Sequence, residues 1–256
     1  MARKRVRERS PLEFLSDLLD PGRLPASVDD SAGYLDLLAA QGSAERSLAQ
    51  VAMENPVLAR IYEGLWRPMF TRAFSFGGPG TKRYTDRVLA ELSPSGAGLV
   101  LDVACGPGLH TRAFAANLGA DGLAVGLDVS VPMLTQAVRD SCAERVAFLR
   151  ADAHAIPFAD KTFDSVSCLA ALYLIPAPHE VIEEMIRVLK PGGKLAIFTT
   201  VDEKLTRIPL VKPVLAAASG IHIFGRDEIT ARLRRAGFAE VNQFISGQGQ
   251  FVIATR

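Results

Sequence analysis

The stretch that decides the fold is GLVLDVACGPGLHTRAFAANLG, residues 98–119. It begins as an apolar run typical of a buried strand and ends with the apolar spacing of a helix. Asp102 stands where the strand ends, and the small residues Ala104, Gly106 and Gly108 follow it. Residues without bulk let the backbone approach a ligand closely, and the next helix presents its N-terminus at the same place. The stretch therefore predicts a ligand-binding turn between a strand and a helix.

The composition favours a folded core without a strongly charged surface. The 256 residues suffice for one large domain or for a domain with an appendage, and 48% of them are hydrophobic. The net charge of +1 gives no overall field that would attract nucleic acid. The exception is ARKRVRER, residues 2–9, for which two interpretations stay open: a solvated tail, or a peripheral contact with anionic lipid or nucleic acid.

The cysteines and the hydropathy pattern bear on the cellular setting. Cys105, Cys142 and Cys168 lie far apart without paired spacing, which argues against a zinc site or a disulfide framework. This usage favours a reducing, cytoplasmic setting. We expect neither a secretory signal peptide nor a transmembrane segment, because the basic start is not followed by an apolar region and no run of 18 apolar residues occurs.

Strand and helix signals alternate from Gly98 onward. Near-continuous apolar strands separated by helices predict an α/β fold with a Rossmann-like, doubly wound, mostly parallel sheet. The last two strands, joined by GQG, predict an antiparallel hairpin at the sheet edge. Six of the seven predicted strands are 98–104, 122–130, 145–153, 194–200, 241–246 and 250–255. The seventh begins the segment 163–175. The predicted helices are 109–118, 131–140, 177–193 and 227–236.

The first third of the chain has a different character. Residues 1–85 predict a tail and a mainly helical lid region, and residues 86–256 the main domain. DDSAGYLDLLAAQG (29–42) has a helix N-cap signal before its leucines, and NPVLARIYEGLWRPMFTRAF (55–74) has Asn and then Pro at its start. A further helix is predicted over Tyr84 to Leu92.

The glycine turn does not match the dinucleotide-binding fingerprint. Counted from Gly106, the third glycine of GxGxxG is replaced by Thr111. The carboxylate of Asp102 would also repel a pyrophosphate, whereas it suits a cation. A ligand with an ammonium or sulfonium head and a ribose tail fits the turn better than NAD.

Two further aspartates end the next strands. Asp128 stands 20 residues beyond Gly108, where an acid can accept hydrogen bonds from both ribose hydroxyls. Asp152 ends the following strand, where its carboxylate could accept from an exocyclic amine. A single aspartate at a strand end is usually a cap or turn residue, but three in succession on one edge indicate a binding site.

Four successive motifs resemble those of class I S-adenosylmethionine-dependent methyltransferases, of the UbiE-like, methyltransferase type 11 branch. They are VLDVACGPG (100–108), GLDVSVPML (126–134), ADAHAIPFADKTFDSVSC (151–168) and EEMIRVLKPGGKLAIFT (183–199). The tail FGRDEITARLRRAGFAEV (224–241) is similar to the closing helix and strand of that family. The resemblance implies S-adenosylmethionine as methyl donor and S-adenosylhomocysteine as product.

The resemblance also implies a role for each residue of the donor site. Asp102 would anchor the methionine amino group directly or through water, Asp128 the ribose and Asp152 the adenine amine. The remaining cofactor-binding residues that it implies are Tyr62 in a lid, Ala104, Cys105, Gly106 and Gly108 in the turn, Val129, Met133 and Ala153 at adenine, and Leu169 and Ala170 near the methyl group. Ala104 departs mildly from the family, in which this position is more often glycine.

The catalytic residues are harder to predict than the donor site. Transfer from a sulfonium is an in-line displacement that needs alignment and exclusion of water, and a general base is optional. His110 and Tyr173 are the candidates: each is either catalytic or structural, His110 as a helix N-terminal hydrogen bonder and Tyr173 as a packing residue. We expect His154 to lie near adenine, too far to act as a base, and His179 and His222 to be surface residues.

The acceptor and the lid leave alternatives open. The segment ARIYEGLWRPMFTRAF (59–74) is a cofactor lid or plain core, and RIPLVKPVLAAASGIHIF (207–224) is a core helix or a cap over an apolar acceptor pocket. Both segments suggest a small hydrophobic acceptor such as a quinone, lipid or polyketide. We predict no metal, because the cysteine pairs of some zinc-binding relatives are missing, and we expect a chelator to leave binding and activity unchanged. The alternatives are a donor-binding regulatory protein without turnover and, opposed by Thr111 and Asp102, a nicotinamide oxidoreductase.

Overall fold

The structure is a computed structural model that describes residues 10–39, 82–93, 98–141, 145–202 and 222–256. Some of the sequence predictions concern residues outside these ranges. They are the basic stretch 2–9, the helix 55–74 with Tyr62, Cys142, and most of the segment 207–224. The division of the chain at residue 85 also stays a prediction.

The described elements alternate between helices and strands along most of the chain. The helices are α1 (Pro11–Leu18), α2 (Lys82–Leu92), α3 (Leu109–Asn117), α4 (Val131–Asp140), α5 (Pro178–Val188) and α6 (Glu228–Arg235). The strands are β1 (Leu35–Asp36), β2 (Leu99–Val103), β3 (Leu123–Asp128), β4 (Val146–Arg150), β5 (Phe163–Leu169), β6 (Leu189–Thr200), β7 (Glu240–Ser246) and β8 (Gly249–Thr255). Short 3₁₀ turns lie at Pro21–Arg23, Ala153–Ala155 and Leu172–Leu174.

The strands form one sheet in the order β1-β4-β3-β2-β5-β6-β8-β7. All neighbouring pairs are parallel except those of β8, which runs antiparallel to β6 and to β7. The chain proceeds outward from β2 to β3 and β4, then crosses to β5 on the other side. In such sheets a ligand binds in the crevice where the strand order reverses, so the carboxyl ends of β2 and β5 flank the expected site.

Strand β2 is buried on both faces, as a central parallel strand should be. Leu99, Leu101 and Val103 pack into one hydrophobic cluster, while Val100 packs into a second cluster. This alternation follows the period of two along a strand. Because each buried aliphatic side chain contributes roughly 1.5–3 kcal/mol, the two clusters fix the sheet between its two layers of helices.

The predicted fold class is confirmed, with one strand more than predicted. The seven strands expected from the sequence are all present, and the last two form the expected antiparallel hairpin at the sheet edge. Strand β6 begins at Leu189, earlier than the predicted 194, because the KPGG stretch joins the strand where its register to β5 shifts. The eighth strand, β1, comes from the N-terminal region.

The helix predicted over 29–42 is wrong within the residues described. Asp29 binds the amide of Ser31 at 2.9 Å in a local turn instead of capping a helix. Leu35 and Leu37 are both buried, and this spacing of two suits a strand rather than a helix. Leu35 pairs with Leu149 of β4, so the N-terminal region extends the sheet.

Helix α1 was not predicted, although the sequence carries its start signal. Ser10 accepts a hydrogen bond from the amide of Glu13, and the Glu13 side chain accepts from the amide of Ser10. This is the capping box, and Pro11 follows at the first helical position. Within the described ranges, no helix combines the length and the apolarity needed to cross a membrane.

Candidate functional site

The turn after β2 has an unusual backbone, which matches its small residues. Ala104, Gly106 and Gly108 all have positive φ angles, of 54°, 55° and 78°. A Cβ added at Gly108 would lie 2.8 Å from Cζ of Phe148, so this position also has no room for a side chain. A Cβ added at Gly106 would meet no atom within 4 Å. Gly106 therefore leaves open space above the turn, where a ligand can approach the backbone.

Asp102 lies beneath the turn and is only 2% exposed. Its two carboxylate oxygens accept hydrogen bonds from Oγ1 of Thr111 and Oγ of Ser167, each at 2.8 Å. Burial raises the pKa of Asp102 to about 6, although both hydrogen bonds act in the opposite direction. The carboxylate thus ties β2 to helix α3 and to strand β5 at the base of the turn.

Thr111 and Ser167 were missed as partners of the site. Thr111 was considered only as the residue that breaks the dinucleotide fingerprint, yet its hydroxyl holds Asp102. Ser167 is the direct neighbour of Asp102 in the pairing of β2 with β5. The spacing between Asp102 and Thr111 was visible in the sequence, but the partnership with Ser167 depends on which strands pair.

Asp128 ends strand β3 and supports the same turn from the other side. Its Oδ2 accepts from the amide of Gly106 at 2.8 Å, and its Oδ1 accepts from the amide of Ser130 at 2.9 Å. Burial raises the pKa of this carboxyl group, against the opposite effect of the backbone hydrogen bonds. Because each carboxylate oxygen has two lone pairs, both oxygens keep capacity to accept from a ligand.

Asp152 follows strand β4 and caps the 3₁₀ turn Ala153–Ala155. Its Oδ1 accepts from the amide of His154 at 2.9 Å and lies 2.7 Å from Nδ1 of the same residue. Nε2 of His154 lies 2.8 Å from the carbonyl oxygen of Pro176. Burial alone would lower the pKa of His154, but these two contacts outweigh it and raise the pKa.

The three aspartates lie at or just after the carboxyl ends of the neighbouring strands β2, β3 and β4, and two of them line a cleft. The cleft holds about 780 Å³ of space between atoms, and this volume includes open solvent. One wall contains the turn and the carboxylates of Asp128 and Asp152, and a second wall, formed by Ala170, Ala171, Leu174 and Ile175, is apolar. The lining residues are Ala104, Gly106, Leu127, Asp128, Val129, Ser130, Met133, Asp152, Ala153, Ala170, Ala171, Leu174 and Ile175.

Comparison with known proteins assigns the chain that forms this cleft to a family. The family described as "Methyltransferase domain" matches residues 101–197. A demethylmenaquinone methyltransferase of Geobacillus sp. (strain WCH70) is 33% identical over 165 residues, which cover 55% of this chain and 70% of that protein. The chain belongs to the class I S-adenosylmethionine-dependent methyltransferases.

Two further relatives show how far the likeness extends. An uncharacterized chloroplastic methyltransferase of Arabidopsis thaliana is 31% identical over 214 residues, covering 77% of this chain. The chain spans 59% of the length of that relative. A solved phosphoethanolamine N-methyltransferase of Haemonchus contortus, in complex with S-adenosylmethionine, has a TM-score of 0.65 at 16% identity, with 84% of this chain and 60% of that chain covered. At this identity the likeness shows the shared fold.

S-adenosylmethionine is the methyl donor of this methyltransferase family, and the residues of the cleft fit it. The open space above Gly106 admits a ligand against the backbone, which a side chain there would block. The carboxylates at the rim suit a ligand that carries an ammonium, a sulfonium and ribose hydroxyls, and they would repel a diphosphate. The cleft therefore has the shape and charge that this donor requires.

Most of the predicted donor-site residues lie together in the cleft of this methyltransferase. Eight of them line it: Ala104, Gly106, Asp128, Val129, Met133, Asp152, Ala153 and Ala170. Four of them lie outside the lining: Asp102 at the base of the turn, Gly108 in the turn against Phe148, and Cys105 and Leu169 packed in the second hydrophobic cluster. Tyr62 lies outside the described residues. The ligand roles of all thirteen stay predictions.

The two catalytic candidates lie outside the residues that line the cleft. Tyr173 is 5% exposed and packs in the first hydrophobic cluster. Its carbonyl oxygen accepts from the amide of His222 at 2.8 Å. His110 is half-buried in the first turn of α3. A catalytic role for either residue stays a prediction.

Proposed function

We propose that this chain transfers a methyl group from S-adenosylmethionine to a small apolar acceptor. One observation carries the proposal: the lining of one cleft combines an open turn and two carboxylates with an apolar wall formed by Ala170, Ala171, Leu174 and Ile175. A charged nucleoside fits the first wall and an apolar molecule fits the second. Both walls line the same space, so a donor and an acceptor bound there would be neighbours, as a transfer between two ligands requires.

On the first wall, each carboxylate would bind a different part of the donor. Asp128 would accept hydrogen bonds from the ribose hydroxyls, because its oxygens lie in the cleft and keep free lone pairs. Asp152 would accept from the adenine amine, with Val129 and Met133 against the ring. Asp102 would act from below: its bonds to Thr111 and Ser167 hold the turn that carries Ala104 and Gly106.

The reaction demands little acid–base chemistry from the chain. When bound, the donor supplies an electrophilic methyl group on a sulfonium. Among the residues that line the described cleft, the titratable ones are Asp128 and Asp152, and both belong to the donor wall. The chain would therefore act chiefly by aligning the acceptor and excluding water, which suits a phenolate or enolate acceptor that needs no strong base.

The apolar wall and the relatives together favour a quinone-like acceptor. Ala170, Ala171, Leu174 and Ile175 contribute no charged group to the wall. The Geobacillus relative is named for demethylmenaquinone, an acceptor with an apolar ring and tail. Lipid and polyketide acceptors share this apolar character and are the competing outcomes of the test.

We place the protein in the cytoplasm. Cys105 and Cys168 are free thiols in the described part of the chain, which suits a reducing compartment. Burial raises the pKa of Cys105, so its thiol stays protonated and inert at neutral pH. Contact of the basic stretch 2–9 with a membrane surface would bring the site close to lipid-soluble acceptors.

The test is methyl transfer by the purified full chain from donor labelled in its methyl group. The acceptors are a reduced naphthoquinone, a lipid phenol and a polyketide phenol, with a polar catechol as control. We expect label in the naphthoquinone and none in the catechol. Tight binding of S-adenosylhomocysteine without transfer to any acceptor would instead support a regulatory protein without turnover. Binding of NAD in preference to S-adenosylhomocysteine would overturn the donor assignment itself.

A further inference from the structure

Three side chains from separate segments converge beside the first turn of helix α5. His179 is the second residue of α5, His222 precedes α6, and Glu228 is the first residue of α6. Nε2 of His179 lies 2.8 Å from Oε1 of Glu228, and Nε2 of His222 lies 3.3 Å from the same oxygen. One nitrogen or oxygen atom from each residue lies within 4.8 Å of those of the other two.

Each member of this cluster is held in place by its surroundings. The second carboxylate oxygen of Glu228 accepts from the amide of Gly225 at 2.6 Å. The backbone of His222 is fixed at both ends, because its amide donates to the carbonyl of Tyr173 and its carbonyl accepts from Oγ1 of Thr200, both at 2.8 Å. Both imidazole rings pack edge-on against Phe224, with ring centroids 4.4 and 6.1 Å apart. Such support orients ligands before a metal arrives.

The donor set has the chemistry of a transition-metal site. Two imidazoles and one carboxylate, with a water as fourth ligand, are a known combination for zinc. The three side chains are 31–39% exposed, which leaves a path for an ion and its water.

Two of the three distances between ligand atoms are close to those of a tetrahedral site, and all three lie within 4.8 Å. In a tetrahedral site with metal–ligand bonds of about 2.0–2.2 Å, the ligand atoms lie about 3.4 Å apart. The His222–Glu228 distance of 3.3 Å already matches, and the 2.8 Å between His179 and Glu228 must lengthen by a few tenths of an ångström. Nδ1 of His179 is buried without a hydrogen-bond partner. Because metal-bound histidines usually donate from this second nitrogen, we expect weaker binding than at a fully supported zinc site.

We propose that His179, His222 and Glu228 bind one divalent transition-metal ion, with Zn²⁺ as the best match. Imidazole ligands favour zinc and its neighbours in the first transition row over Mg²⁺ and Ca²⁺. This proposal replaces the sequence prediction of no metal, which rested on missing cysteine pairs. The donors here stand far apart in the sequence, so no local spacing indicates them.

The role of the ion would be structural. It would link the start of α5 to the start of α6 and to His222, which is bonded to Tyr173. Tyr173 belongs to the 3₁₀ turn whose next residue, Leu174, lines the cleft. The ion would thus brace the apolar wall from behind, outside the cleft, and the proposal stands independently of the function proposed above.

The test is metal binding by the full chain after removal of metals with a chelator and exchange into metal-free buffer. Titration calorimetry with Zn²⁺ is expected to give about one ion per chain. Titration with Co²⁺, which has visible absorption bands, is expected to show the intense bands of tetrahedral coordination. Thermal unfolding should move to higher temperature as Zn²⁺ is added, because the ion binds the folded state.

Variants decide whether the ion sits at the proposed cluster. H179A, H222A and E228Q should each weaken Zn²⁺ binding by at least about tenfold and abolish the tetrahedral Co²⁺ bands. The matched controls, H110Q for an imidazole and D227N for the exposed carboxylate next to Glu228, should bind Zn²⁺ as the wild type does. Circular dichroism and binding of S-adenosylhomocysteine show whether each variant is folded. Equal Zn²⁺ binding by the wild type and H179A/H222A, or a wild type that binds neither ion, would overturn the proposal.

Discussion

The two walls of the cleft are built on different principles. On the donor wall, Asp128 binds the amides of Gly106 and Ser130, so that carboxylates and loops fix one another through directed hydrogen bonds. On the acceptor wall, Leu174 and Ile175 present apolar surface from a short 3₁₀ turn. Directed hydrogen bonds require particular residues at particular positions, whereas an apolar surface tolerates many sequences of similar volume. The sequence therefore allows the donor to be predicted, but it does not identify the acceptor.

The largest effect is expected at the base of the donor wall, from a matched pair of glycine variants. In G108A, the new methyl group overlaps Phe148 and the backbone must keep φ near +78°, so we expect a loss of about 4 kcal/mol in the free energy of unfolding. In G106A, the methyl group has open space, so the loss should be only about 1–2 kcal/mol, from the positive φ alone. Urea unfolding of the two variants measures both.

The glycine pair also separates stability from binding. The methyl group of G106A projects toward the space that the donor would occupy, so its affinity for S-adenosylhomocysteine should fall although the fold survives. Equal losses of stability in the two variants would show that the turn is not packed as described.

A pH effect of roughly 3 kcal/mol is expected from Asp102. Its folded-state pKa of about 6 lies above the ordinary 3.8, so the folded protein holds this proton more tightly than the unfolded chain does. The contribution of Asp102 to stability is therefore greatest below about pH 4 and is lost as the pH rises to 6. Unfolding of the wild type and of D102N across pH 4–7 measures it: the stability of the wild type relative to D102N should decline over this interval. A constant difference would contradict the buried carboxylate.

D128A should weaken the binding of S-adenosylhomocysteine by roughly 1.5–3 kcal/mol, because the hydrogen bonds from the ribose to a charged carboxylate are removed. Titration calorimetry with S-adenosylhomocysteine measures the change. The matched control is D140N, since Asp140 is exposed at the end of the helix that follows Asp128 and lies outside the cleft lining. An unchanged affinity in D128A would place the ribose elsewhere.

The smallest effects, of about 1 kcal/mol each, should separate the two walls. V129A shortens an apolar side chain on the donor wall and should weaken S-adenosylhomocysteine binding about fivefold, with little change in acceptor KM. L174A shortens one on the acceptor wall and should do the reverse. Binding and steady-state kinetics on the same samples test this reciprocity. If both variants change both quantities alike, the cleft is not divided as proposed.

The features that could be predicted from the sequence belong mostly to the donor wall. The aspartates at strand ends were found because each stands directly after an apolar run, a purely local signal. Asp102 is predicted to anchor the ligand's amino group directly or through water, and this role stays a prediction. Its partners Thr111 and Ser167 were not predicted, and Ser167 becomes its neighbour only through strand pairing. The helix expected over 29–42 was wrong within the described residues, since the acidic residues at its start also form tight turns. Such outcomes depend on contacts between segments, which no local pattern contains.

The central claim is that the carboxylate-rimmed cleft holds a sulfonium nucleoside, and a crystal structure with S-adenosylhomocysteine tests it most directly. The account predicts the ribose hydroxyls within hydrogen-bond distance of Asp128, the adenine amine at Asp152, and the ligand backbone against Gly106. A ligand bound in another part of the molecule, or one in the cleft whose ribose makes no contact with Asp128, would contradict it.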